Sequence, residues 1–148
     1  MKVFENTVEW LEEANPPMVE IKDIKKWIIE ELEEFEEALA NKDEQEMYDA
    51  IADASIFLGN IPYFYKLDID KLKVVSEAVN LSNWTKFCAT EQEAIDTVEA
   101  YANGTHPNKL GEKIKTYYTQ GKNSWVVKKL SDNKIMKSIN FKDTNQFL

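Results

Sequence analysis

The chain has 148 residues, 43% hydrophobic and 11% aromatic, which is enough to enclose a core and unlike a disordered acidic tail. A formal charge of −9 disfavours nucleic acid and anionic membranes as primary partners. A phosphate substrate stays compatible where a cation neutralises the carboxylates locally. The single cysteine, Cys88, excludes an internal disulfide framework and fits a reducing compartment.

The N-terminal MKVFENTVEWLEEANPP contains no apolar run like a signal peptide, and nothing approaches membrane-spanning length, so a soluble cytoplasmic protein is expected. Residues 6–14 read as a short amphipathic helix with Asn6 and Glu9 in capping-box spacing, ended by Pro16 and Pro17. Asp23 is the expected cap of a long second helix running to about Ala40. Asn41, Lys42 and Asp43 form a turn, and Asp43 with Glu46 signals the start of a third helix. So short a connection makes the second and third helices antiparallel neighbours.

The third helix is expected to be buried from Ala50 to Ile61 and to weaken between Gly59 and Pro62. Asp68 or Asp70 starts a fourth helix reaching about Asn83, and Thr90 with Glu93 starts a fifth that stops at Asn103 and Gly104. Beyond it, Ser124–Leu130 and Lys134–Ile139 are strand-like and predict a β-hairpin appended to a helical body. The only histidine, His106, lies in a Thr-His-Pro loop, and Cys88 is expected to be buried and inert. Residues 1–148 are read as one mainly α domain. Its helical core is about 1–104, and its extension, with the hairpin, about 105–148.

The anomaly lies in residues 30–53, EELEEFEEALANKDEQEMYDAIAD. At about 100° per residue, Ile24, Ile28, Leu32, Phe35, Ala38 and Leu39 form one apolar stripe. Glu31 falls near its middle, and Glu34 at its edge beside Trp27. Glu33 and Glu36 point outward, with Glu30 and Glu37 on the flank. On the third helix, Asp49, Asp53 and Asn60 fall in one narrow row. A glutamate-rich helix is ordinarily a solvated face. Carboxylates turned inward on two facing helices instead need a positive partner, and four hard-oxygen ligands suit a divalent metal. The alternative is a second subunit whose lysines neutralise them.

Ser82–Phe87, SNWTKF, ends the fourth helix. It reads either as a helix terminus anchored by Trp84 or as a site where Asn83 and Lys86, three apart on one helical face, meet phosphate or base. Trp27 is read as core or as a stacking platform, and Asn60 as a helix-end hydrogen bond or a substrate contact.

EELEEFEEAL, DAIADASIFLGN and SNWTKF together resemble the MazG-like, all-α nucleoside triphosphate pyrophosphohydrolases, in the short single-domain form common in bacteriophages. The resemblance covers about residues 20–88. It implies an antiparallel helical bundle and cleavage of an NTP or dNTP to the monophosphate and pyrophosphate, with Mg²⁺ or, as a substitute, Mn²⁺. By position it implies Glu31, Glu34 and Asp53 as metal ligands, and Asn60, Asn83 and Lys86 as substrate contacts beside Trp27. Glu30 or Glu34 would orient or deprotonate the attacking water. The usual second motif would put glutamate at position 50, where this chain has Ala50. Asp49, four before Asp53, keeps a carboxylate on the same helical face and is taken as the fourth ligand. Family members are dimers or tetramers, so a homodimer or homotetramer is expected, in a host's cytoplasm if the chain is phage-encoded. Two other readings stand beside this one: the same fold acting on phosphoribosyl-ATP or another pyrophosphate metabolite, and a non-enzymatic helical interaction protein.

Overall fold

A computed structural model describes residues 2–148. Among them are five α-helices and one two-stranded antiparallel sheet. In order these are α1 (Lys2–Ala14), α2 (Ile21–Asn41), α3 (Glu44–Phe64), α4 (Ile69–Trp84), α5 (Glu91–Asn103), β1 (Thr116–Gln120) and β2 (Trp125–Lys129). No helix among the described residues is long and apolar enough to cross a membrane. The chain forms two compact units, residues 1–73 and 74–148, with the division inside α4.

In the first unit the local signals act mostly where expected. Lys42 takes the left-handed conformation, with φ of 58°, and its N–H caps the end of α2 on Ala38 and Leu39. One residue later the Asp43 carboxylate accepts the Glu46 N–H at 3.2 Å and opens α3. Two expected caps fall elsewhere. α1 already begins at Lys2, so Asn6 is interior, and α2 begins after Glu20, so Asp23 lies in its first turn. Glu20 makes no side-chain cap bond; instead the Ile21 N–H donates to the Tyr65 hydroxyl at 2.7 Å. A distant side chain has taken over a local task.

α3 also runs on through Pro62 to Phe64, past the expected weakening. Pro62 and Phe64 are both buried, and that packing holds the turn despite the missing N–H. Leu11, Ile24 and Phe64 form the centre of the core, with Trp27, Ile28 and Ile61 packed around it. Burying a side chain such as Ile24 completely stabilises by about 1.5–3 kcal/mol. α1 lies against α3 at Gly59, where a Cβ would meet three Thr7 atoms at 3.0–3.1 Å. The stripe expected to be core on α2 is only half used: Ile24 and Ala38 are buried, but Leu32 and Leu39 are 54% and 58% exposed. α3 departs in the same way, with Ile51, Ile56 and Leu58 open on a helix expected to be buried.

At the end of the first unit Asp68 caps α4, accepting the Asp70 and Lys71 N–H groups at 2.9 and 3.1 Å. In the second unit, Thr90 caps α5 through the Glu93 N–H at 3.1 Å, and Gly104, with φ of 71°, ends it. The expected hairpin partner is corrected. β2 pairs with Thr116–Gln120, in the register Thr116↔Lys129 to Gln120↔Trp125, and residues 134–139 contribute only the bridge Lys128↔Ile135. TYYTQ is a β-branched and aromatic run that supplies Tyr118 to the core beside Val127 and Trp125.

The last residues tie this unit together. The Lys137 carbonyl accepts from both the Tyr101 hydroxyl (3.0 Å) and the His106 ring (2.9 Å), and the two rings stack 4.0 Å apart. The Ser138 hydroxyl donates to Glu93, the Ser138 N–H to the Lys86 carbonyl at 3.1 Å, and the Ser82 hydroxyl to the Lys142 carbonyl at 2.8 Å. Cys88 is fully buried beside Thr97, and burial raises its thiol pKa, which makes it inert.

Candidate functional site

The carboxylates singled out on α2 and α3 do influence one another. Glu31 is half-buried, and its pKa is raised, first by desolvation and then by the charges of Glu34, Asp53, Asp49 and Glu30. Glu30 and Glu34 lie within about a turn of Glu31 on α2, and Asp49 and Asp53 come from α3 across the hairpin. The field at Glu31 is therefore the sum of both helices, as their periodicity implies. Asp53 is half-buried, whereas Glu34, Asp49 and Glu30 are exposed. Glu30 is engaged by Lys26 at 3.6 Å. Among the described residues no lysine pairs with Glu31, Glu34, Asp49 or Asp53.

A run of like charges on facing helices repels itself, and closing it requires a counter-charge. Among the described residues no three acidic, thiol or imidazole side chains converge as a ready-made metal cage. The donor chemistry nonetheless fits a hard divalent cation: the four side chains offer only carboxylate oxygen, and no described lysine is paired with them.

Beside this acidic face, the first unit contains a cavity of about 870 Å³. Trp10 and Leu11 of α1, Trp27 of α2, and Phe57, Asn60 and Phe64 of α3 are among its walls. Trp27 packs against Phe57 at 5.4 Å between ring centroids, with a 39° tilt. Trp27 precedes Glu31 by one helical turn, and Phe57 follows Asp53 by one, which is about 6 Å of rise in each case. The acidic face and the aromatic cavity thus adjoin along the same two helices. Asn60, 8% exposed, makes no side-chain hydrogen bond to any described residue, which leaves its amide for the cavity. Nothing in the sequence announced the α1 wall. Asn6 reads as a helix cap, and Trp10 as part of a short amphipathic helix.

Asn83 and Lys86 belong to the second unit and are not on one helical face. α4 ends at Trp84, and Lys86 sits in the turn beyond, its N–H donating to the Asn83 carbonyl at 3.2 Å. The Ser82 and Thr85 hydroxyls, both bound to the Lys142 carbonyl, pull the chain off the helix axis there. Asn83 is exposed and Lys86 half-buried. Trp84 is no packing anchor: it is 65% exposed and touches Phe87 edge-on at 5.6 Å.

Compared with protein-family models, with curated proteins and with solved structures, the chain finds no match.

Proposed function

We propose that this protein is a Mg²⁺-dependent nucleotide pyrophosphohydrolase of the all-α NTP pyrophosphatase type, cleaving an NTP or dNTP to the monophosphate and pyrophosphate. One observation carries the reading. Glu31 sits in an anionic field built by Glu34, Asp49 and Asp53 from both arms of the hairpin, uncompensated by any described lysine and next to an aromatic cavity. Acidity of this kind is costly unless it holds a cation, and a cation beside an apolar cavity walled by aromatic rings suits a nucleoside phosphate.

Glu31, Glu34, Asp49 and Asp53 are the residues that would hold the metal, which when bound polarises the phosphoryl oxygens and offsets the charge gathering on them. Glu34, free of an ion pair, is better placed than Lys26-bound Glu30 to orient or deprotonate the attacking water. The Trp27 and Phe57 rings would stack on the base, and the Asn60 amide would read its polar edge. Asn83 and Lys86 are proposed as phosphate or sugar contacts on the motif alone.

The open apolar side chains of α2 and α3, Leu32, Leu39 and Ile51 among them, favour a homodimer or homotetramer. The test is a panel of NTPs and dNTPs with Mg²⁺ or Mn²⁺, scoring pyrophosphate release, with Glu31→Ala and Asp53→Ala alongside. Activity confined to phosphoribosyl-ATP would keep the chemistry and change the substrate. Absence of activity on every substrate, with no thermal shift from Mg²⁺ plus a non-hydrolysable dNTP, would leave a non-enzymatic helical interaction protein.

A further inference from the structure

The charge of this chain is unevenly distributed. Between residues 109 and 142 there are nine lysines and only two acidic residues, in a protein whose formal charge is −9. Lys109 pairs with Glu112 at 3.7 Å, and among the described residues no other lysine of this segment has an ion-pair partner. Lysines on a solvated face are commonly matched by nearby carboxylates. Here they are concentrated and unmatched.

The sheet register sets two of them beside an aromatic ring. Val127 and Tyr118 face the core, so the alternate positions face outward. Tyr117 and Lys128 lie directly opposite one another on that outer face, and the bridge from Lys128 to Ile135 carries the same face onto the following strand segment. Lys115, two residues before Tyr117, continues it. Lys129 and Lys134 are joined by a backbone hydrogen bond of 2.8 Å at the end of the sheet away from its turn. The Tyr117 ring is fixed by its hydroxyl, which donates to Asn133 at 2.6 Å. The result is a short sheet face on which Lys115 and Lys128 flank a held aromatic ring, with Lys129 and exposed Lys134 at its end on the other side of the pleat.

We propose that this face binds single-stranded nucleic acid without strong sequence preference, the lysines tracking phosphates and Tyr117 offering a stacking surface. The whole-chain charge disfavours such a partner at long range, but beyond about 10 Å that repulsion is screened at ordinary salt, and the local field decides contact. A lipid surface fits less well, since the lysines are set on a sheet face with a hydrogen-bonded tyrosine and not on the polar side of an amphipathic helix. The inference does not depend on the pyrophosphohydrolase reading.

The test is fluorescence anisotropy of the full chain with a labelled oligothymidylate of about fifteen nucleotides, titrated with salt between about 50 and 200 mM. The expected result is saturable binding whose log affinity falls with log salt at a slope near −2, for about three phosphate contacts at roughly −0.7 each. Lys115→Gln/Lys128→Gln/Lys134→Gln should weaken binding at least tenfold and flatten the slope, while Tyr117→Ala weakens it about fivefold or more at an unchanged slope. Lys113→Gln/Lys134→Gln, at two exposed positions, serves if the triple variant loses its far-UV circular dichroism. No binding at the lowest salt would overturn the proposal, as would binding that the lysine variants leave intact. So would a clear preference for phosphatidylglycerol vesicles over the oligonucleotide, or salt-sensitive self-association seen by sedimentation in place of binding.

Discussion

Replacing Gly59 by alanine tests how α1 is held against α3, and with it the wall of the aromatic cavity. An ideal Cβ at this position would lie 3.0 Å from Thr7 Cβ, 3.0 Å from its Oγ1 and 3.1 Å from its Cγ2. Two of those atoms could move with χ1, but Cβ moves only if α1 moves. Thr7 is also buried, its hydroxyl committed to the Val3 carbonyl at 2.8 Å. Overpacking of this kind costs about 1–3 kcal/mol. Alanine in a helix interior returns about 0.5–1 kcal/mol relative to glycine. The expected net effect is a loss of about 1–2 kcal/mol, read as a lower urea midpoint by far-UV circular dichroism. Thr7→Ala in the same chain removes two of the three close atoms. The double variant should therefore regain part of the loss, with a coupling energy of about 0.5 kcal/mol or more in a double-mutant cycle. Gly59→Ala as stable as the parent, or additive with Thr7→Ala, would refute the close helix approach.

Glu31→Gln should raise the stability of the metal-free protein at neutral pH. The Glu31 pKa is raised above 4.5, so the folded state binds the extra proton and its stability is greatest below 4.5 and lost as pH rises through the folded value. The gain from glutamine should fade on acidification, as checked by thermal unfolding in EDTA, and the variant should also lose any Mg²⁺-induced shift. His106 has the opposite sign. Burial lowers its pKa below 6.5, so its contribution is complete above that value and falls away as pH drops through the folded one. His106→Gln should lower the urea midpoint at pH 8 and flatten the decline below pH 6.5. Trp27→Ala, which deletes the ring packed on Phe57, should raise KM for the best nucleotide by roughly 3- to 10-fold, the value of one aromatic contact, with less effect on kcat.

Much of this architecture was legible because its causes are local. Asp43 and Thr90 cap the helices they precede, and Lys42 and Gly104 end the helices they follow, each within four residues. Helical periodicity likewise placed Glu31, Glu34, Asp49 and Asp53 on facing sides of one hairpin, as the field at Glu31 reflects. What escaped was set at a distance. Periodicity marked Leu32 and Leu39 as apolar but carries no information on whether their partner lies in the same chain, and here they are open. The first N–H of α2 is satisfied by Tyr65, forty-four residues away, which no capping rule anticipates. KIMKSI reads as the partner of SWVVKKL, with TYYTQ passed over, but the tight Gly121–Ser124 turn selects TYYTQ, with the Gly121 N–H donating to the Ser124 carbonyl at 2.7 Å. Lys86 left the helix because hydroxyls of Ser82 and Thr85 hold the backbone of Lys142, nearly sixty residues later.

The ties made by residues 137–142 give the two units different histories during synthesis. Every contact centred on Leu11, Ile24 and Phe64 joins residues made before α4, so that unit can close while the ribosome is still at work. α4, α5 and the sheet must wait, because Lys137, Ser138 and Lys142 satisfy groups at Tyr101, His106, Glu93, Lys86 and Ser82 and emerge well after them. Until then the Ser82 hydroxyl and the Lys86 carbonyl lack these partners, and the Glu93 carboxylate has only the Ala89 N–H, at 3.1 Å. A fusion placed after Leu148 should leave that closure intact, whereas a stop codon at Lys137 would remove the fastening of everything from Ser82 onward.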